Sequence, residues 1–292
     1  MKLKTLFTLA SLAISAASSA GIGNEANSWE SKTLRLQNQI DLHTPMSKNN
    51  ILGSHNTYNS SEYANDGYVR YIDPQQKHTI KEQLQLGARF IELDLHWKFN
   101  WSDWRYHLLL CHGGACSGND KFFHEGLEEM KQWLESPESK DQVVILYIED
   151  HVDGEHTKLW NALNSKLGGK MYTSGGCKSV PNELSRADVL ETGKQVVLWK
   201  DGSCANNSSL ANTAFNGLGG IQRIWEDGTG IAKIGAFFTG RTVDRIEPAD
   251  VTQAFKNGGN IVNLDHMTYD DGRLAAGVWS WDNNEPNNSG GN

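Results

Sequence analysis

The chain has 292 residues, 21% charged and 38% hydrophobic, with 27 basic side chains against 35 acidic ones and a net charge of −8. That is enough material for one large core or two modest ones and excludes a disordered chain, while the acidic balance leaves no basic field to hold a nucleic-acid backbone. Outside the extreme N-terminus no stretch approaches the roughly 20 apolar residues that cross a bilayer.

The N-terminal run follows Met1-Lys2-Leu3-Lys4 and reads TLFTLASLAISAASSA, ending in small residues at Ala20. A basic start, an apolar middle and a small-residue end are the three parts of a secretory signal peptide. Residues 1–20 are therefore expected to be removed on export, leaving an acidic secreted protein; a buried N-terminal helix is the alternative. Next along the chain, short apolar and β-branched runs recur as predicted strands: NILGSH, RFIELDLHW, YHLLLCH, QVVILYIEDH, QVVLWKDG, IGAFFTGR and NIVNLDHM. Helical patterns fall between several of them, at HTIKEQLQLG, at 119–135 where Phe123, Leu127, Met130 and Leu134 recur, at EHTKLWNALNSKLGG and at PADVTQAFKNGG. The last two end in glycine pairs suited to a left-handed cap.

Repeated β-then-α order predicts one α/β domain over residues 21–282, a distorted (β/α)8 TIM-like barrel, with a polar tail at 283–292. No glycine-rich phosphate loop follows the first strand, which argues against a dinucleotide fold. Cys111, Cys116, Cys177 and Cys204 suit two disulfides in an oxidising compartment. Three connectivities are open; the shortest loops pair Cys111 with Cys116 and Cys177 with Cys204, and zinc ligation is the runner-up.

Chemically capable residues gather at the ends of four runs. The first leads into Gly53-Ser54-His55-Asn56-Thr57-Tyr58; the second carries Glu92 and Asp94 with period two, on one face; the third ends Cys111-His112-Gly113-Gly114; the fourth ends Glu149-Asp150-His151. Two ionised groups on one face of a strand fit for burial call for a cation or donors. Asn56, Glu92, Asp94 and Glu149 offer oxygen only, the preference of Ca²⁺ or Mg²⁺, and leave His55 and His112 for proton work. Lys200, Arg241 and the Asp265-His266 pair also fall at predicted strand ends, each with a bland reading as a surface or rim residue. Ion pairing of Glu92 and Asp94 with Arg89 or Arg105 is the bland account of that pair.

GSHNTY, GARFIELDLHW, LCHGG and VILYIEDH, in this order, resemble the catalytic half of phosphoinositide-specific phospholipase C. The likeness is to the calcium-dependent form, in a secreted bacterial type whose barrel is similar to the eukaryotic X region. Metal-free members carry Asp after the first histidine and Arg at the metal end of the second strand, where this chain has Asn56 and Asp94. The resemblance runs from about Ile51 to His151. It implies a distorted barrel that cleaves phosphatidylinositol or a phosphoinositide to diacylglycerol and an inositol phosphate, first in the 1,2-cyclic form. It further implies Asn56, Glu92, Asp94 and Glu149 as Ca²⁺ ligands, with Mg²⁺ second. His55 matches the histidine that stabilises the phosphorus centre, His112 the one that helps proton transfer at the leaving group, and Glu92 is the candidate general base. Lys200 and Arg241 are candidate substrate contacts. The expected partner is a phosphoinositide lipid met by a monomer in transient contact with a membrane surface. Trp97, Trp101 and Trp104 are read as packing or as a lipid- or sugar-facing patch. A related glycerophosphodiesterase or sphingomyelinase D-like enzyme, and an inactive lipid- or sugar-binding barrel, are the competing functions.

Overall fold

The computed structural model describes residues 29–49, 51–60, 62–63, 76, 78–112, 116, 120–173, 176–204, 206–217, 219, 221, 223–225 and 261–264. The signal peptide, the IGAFFTGR run, the PADVTQAFKNGG helix, Arg241, Asp265, His266 and the tail lie outside these residues.

Strand β1 (Ile51–Ser54) pairs in parallel with β2 (Phe90–Asn100), and β2 with β5 (Val144–His151). β5 continues to β6 (Val196–Lys200), while β8 (Ile261–Leu264) joins β1 to β7 (Arg223–Trp225), all in parallel. Six parallel strands therefore run in the order β7-β8-β1-β2-β5-β6. No pairing of β6 with β7 occurs among the described residues, which form a mixed, barrel-like sheet. The mixing comes from β3 (Arg105–Leu110), which returns antiparallel along the outer half of β2, followed by the short antiparallel β4 (Lys121–Phe122). The run YHLLLCH, expected as a barrel strand of its own, is the second arm of this hairpin. Its apolar residues are satisfied by pairing back on β2 and by the covering helix, which run length does not distinguish from a parallel neighbour.

The helices among the described residues are α1 (Trp29–Ile40), α2 (Ile80–Leu86), α3 (Phe123–Leu134), α4 (His156–Leu167), α5 (Arg186–Glu191) and α6 (Ser208–Thr213); α2, α3, α4 and α6 cover the outer face, whereas Val189 of α5 packs with Phe90 and Trp199. α2 begins with a reciprocal Thr79–Glu82 capping box and stops at Gly87, whose φ of 119° an L side chain rarely adopts. α4 ends differently from expectation, because Gly168 stays right-handed at φ −52°. On α3, the spaced Phe123, Leu127, Met130 and Leu134 are all buried with Ile91, Leu93 and Leu95 of β2. Burial of such side chains contributes about 1.5–3 kcal/mol each.

The alternate residues of the same strands fill the inside. Phe90, Ile145, Tyr147, Val197 and Trp199 form a second buried cluster, with Tyr147 stacked on Trp199 at 3.9 Å between ring centroids. Period two then dictates what lies above it. Glu92 and Asp94 share the inward face with Phe90, and Glu149 shares it with Ile145 and Tyr147. The apolar plug closes the floor, and the acidic residues stand at the rim.

Candidate active site

Parallel register sets Asp94 opposite Glu149, with Glu92 one inward step below on the same strand. Carboxylate oxygens of Glu92, Asp94 and Glu149 all lie within 4.8 Å of one another. Glu92 and Asp94 are each only 1% exposed. Burial first, then the charges of Glu149 and Glu92, push Asp94 well above the ordinary carboxylate range. Three carboxylates this close, two of them buried, are costly to ionise together unless a proton or a cation joins them. Arg89 is not that cation: its guanidinium bonds Gln142 and the carbonyls of Leu84 and Ala88 and lies over Trp133. Among the described residues Asp94 Oδ1 is buried with no hydrogen-bond partner. An all-oxygen donor set with an orphaned carboxylate oxygen fits a hard divalent ion.

The turn after β1 brings up the first histidine. Asn56 takes a left-handed φ of 45°, which asparagine tolerates better than most residues. Thr57 pins the turn to β2, donating its N–H to the Glu92 carbonyl at 3.0 Å and accepting the Glu92 N–H at its hydroxyl at 3.1 Å. Asn56 Nδ2 stands 3.3 Å from His55 Nε2, and Gln76 donates to the His55 carbonyl at 2.7 Å. Tyr58, fully buried, has its hydroxyl 3.2 Å from Asn56 Oδ1 and 3.1 Å from Asp94 Oδ2. The hydroxyl thus ties the asparagine to the acidic cluster, a role readable in the HNTY spacing only once the turn is seen.

His112 arrives by another route. Because β3 runs back along β2, its end lies beside the middle of β2, and Cys111 N–H donates to the Asp94 carbonyl at 3.2 Å. His112 Nε2 is 3.9 Å from Asp94 Oδ2, with a side chain 65% exposed and accessible to a ligand. His151, at the end of the fourth run, sits 2.9 Å from Glu149 Oε1 through Nε2. Its ring stacks on buried His96 at 4.5 Å. Burial, then the charge of His151, lowers the His96 pKa to about 4, so that ring is neutral. A pattern that places His two residues after Glu on a strand puts both on one face, which was the available signal for His151.

Lys200 does not reach the open face expected of a phosphate contact. It is fully buried, and its ammonium meets Asp150 Oδ2 at 2.6 Å, the Asp201 carbonyl at 2.7 Å and the Ser203 carbonyl at 2.9 Å. Three donors are matched by three acceptors, which makes it a brace between the ends of β5 and β6. Both disulfides, Cys111–Cys116 and Cys177–Cys204, follow the shortest-loop pairing.

A family model described as the Rv2075c PI-PLC-like domain matches residues 8–220. The chain belongs to this family. Its curated relatives include the uncharacterized proteins Rv2075c and MT2135 of two Mycobacterium tuberculosis strains, each 24% identical over 308 residues. That alignment covers 89% of this chain and 62% of each relative, so the chain spans less than two thirds of their length. Among solved structures, the phosphatidylinositol-specific phospholipase C of Listeria monocytogenes superposes with a TM-score of 0.50 at 16% identity, covering 80% of this chain and 94% of that one. At that identity the likeness is one of fold. This PI-PLC-like domain thus has the α/β barrel-like architecture of the phospholipases.

Proposed function

We propose that this PI-PLC-like domain is a secreted, calcium-assisted phospholipase C, cleaving phosphatidylinositol or a phosphoinositide to diacylglycerol and inositol 1,2-cyclic phosphate. The observation that carries the reading is the Glu92–Asp94–Glu149 cluster at the rim, with Asn56 and two histidines at its edge. Calcium, when bound by Asn56, Glu92, Asp94 and Glu149, supplies positive charge that offsets the phosphoryl oxygens and eases ionisation of a nearby hydroxyl. The remaining work belongs to the chain. Glu92 takes the proton of the inositol 2-hydroxyl as that oxygen attacks phosphorus in line. His55 stabilises the charge that gathers on the phosphoryl oxygens, and His112 protonates the departing glycerol oxygen. The phosphorus–glycerol oxygen bond breaks, and the open rim lets the lipid leave.

A lipid substrate also gives the exposed aromatics a task. Trp101 and Trp104 at the β2–β3 tip are 62% and 73% exposed, and Tyr106 beside them is 56% exposed. Amphipathic rings of this kind settle at the headgroup level of a bilayer. β2 leads directly from Asp94 to this tip, so the same strand would hold the site and the surface contact. Phosphorus NMR of the protein with phosphatidylinositol, in millimolar calcium and in excess chelator, tests the reading. A cyclic inositol phosphate signal that needs calcium is the expected result. Turnover in chelator overturns the metal assignment. Products other than a cyclic inositol phosphate favour the related phosphodiesterases, and no cleavage in either tube favours a binding barrel.

A further inference from the structure

The Cys111–Cys116 bridge closes a short loop that contains His112, and its two sulfurs do not stand alone. A ring nitrogen of His96 and the Sγ atoms of Cys111 and Cys116 lie within 4.8 Å of one another. His96 is 6% exposed, Cys111 is 1% exposed, and His96 Nε2 has no hydrogen-bond partner among the described residues. A buried imidazole nitrogen left unpaired costs about 1–3 kcal/mol, and such groups need a reason. Two sulfurs and an imidazole are a ligand set that thiophilic cations select, whereas the neighbouring carboxylates select hard ones. The cysteine spacing, four residues between the sulfurs, also falls within that of tetrahedral zinc sites.

We propose that His96, Cys111 and Cys116 form a redox-gated site for a soft divalent cation, zinc above all, which opens when the Cys111–Cys116 bridge is reduced. The bridge masks the site in the oxidised protein, because a disulfide sulfur is a poor ligand and a thiolate a good one. A trialkylphosphine with water opens it. The S–S bond breaks, the phosphorus lone pair becomes the bond to an oxygen taken from water, and the two protons of that water end on the two sulfurs. Zinc then displaces both thiol protons. The site adjoins the acidic cluster, since His112 follows Cys111 in the chain and the Cys111 N–H donates to the Asp94 carbonyl. The inference does not depend on the phosphodiesterase reading.

Cobalt(II), a spectroscopic substitute for zinc, tests it on the whole chain under anaerobic conditions. After phosphine reduction, one equivalent of cobalt per chain should give thiolate-to-cobalt charge-transfer absorption that zinc abolishes, and the unreduced protein should give none. The absorption should persist in the Cys177→Ser/Cys204→Ser protein and vanish in Cys111→Ser/Cys116→Ser. His96→Gln should weaken cobalt binding by about tenfold or more. The comparison of Cys111→Ser/Cys116→Ser with the parent decides the matter even where the other pair's variant does not fold. A reduced protein without the absorption, absorption that survives in Cys111→Ser/Cys116→Ser, or equal affinity in His96→Gln overturns the proposal.

Discussion

At the residue scale, the site divides into groups that touch a ligand and groups that hold them. His112 has a side chain 65% exposed. His55 lies on a turn held by Thr57 and Gln76 through backbone atoms. Truncating either imidazole therefore spares the core. His55→Ala and His112→Ala should each lower turnover of phosphatidylinositol by about 10²–10⁴-fold while moving the melting temperature little, as assay and calorimetry on the same preparations would show. Lys200 is the opposite case. Burial works to raise the Asp150 pKa, but the hydrogen bond and charge of Lys200, with His156 behind them, hold it below the ordinary carboxylate range. A depressed acid stabilises the fold above its unfolded pKa, so this contribution stands above about pH 4 and is lost as pH falls below it. Lys200→Met leaves the buried Asp150 without its main cation and should cost about 3–5 kcal/mol in denaturant unfolding at neutral pH. The deficit should shrink in acid, where Asp150 is protonated in both proteins.

At the element scale, the β2–β3 hairpin does two jobs with one strand pair. Its inner half carries Asp94 and delivers His112; its outer half carries the exposed tryptophans. Trp101 and Trp104 meet each other and Phe99 edge-on, at 5.0–6.1 Å between centroids. Such contacts hold the rings upright at low entropic cost. Trp101→Ala/Trp104→Ala should reduce sedimentation with phosphatidylinositol-containing vesicles while leaving turnover of a soluble inositol phosphodiester near the parental rate. Equal loss on both substrates would place the tryptophans in the fold of the hairpin and not at a lipid surface.

Across the whole molecule, the acidic rim is where the proposed cation would share free energy with the fold. Any ion that binds only the folded chain stabilises it by mass action, about 2.7 kcal/mol at a hundredfold excess over its Kd. Calcium should therefore raise the melting temperature of the chelator-treated protein by several degrees. In Asp94→Asn that shift should be lost, and the variant should melt in chelator at or above the parental temperature, since one of the two buried carboxylates of the crowded cluster is gone. A calcium shift that survives in Asp94→Asn would move the ion to another part of the molecule. None of the helices among the described residues is long and apolar enough to cross a membrane.

Much of the site was legible in local order because strand periodicity is local. Glu92 and Asp94 two apart on an apolar run, and His55-Asn56 after a short run, state their faces without reference to the rest of the chain. The α2 capping box and the α3 apolar stripe are local in the same sense. What pairs with what is not. That β3 doubles back on β2, that Asp94 faces Glu149 in register, that Tyr58 reaches across to Asp94, and that Lys200 is consumed by Asp150 all depend on contacts between distant segments. A lysine at a strand end looks the same in sequence whether it faces a ligand or a buried aspartate. Residue type alone told which side chains could bind an ion or carry a proton. Which of them share one low-dielectric space depends on the folded chain, because burial and proximity, not residue type, set the cost of leaving their charges unpaired.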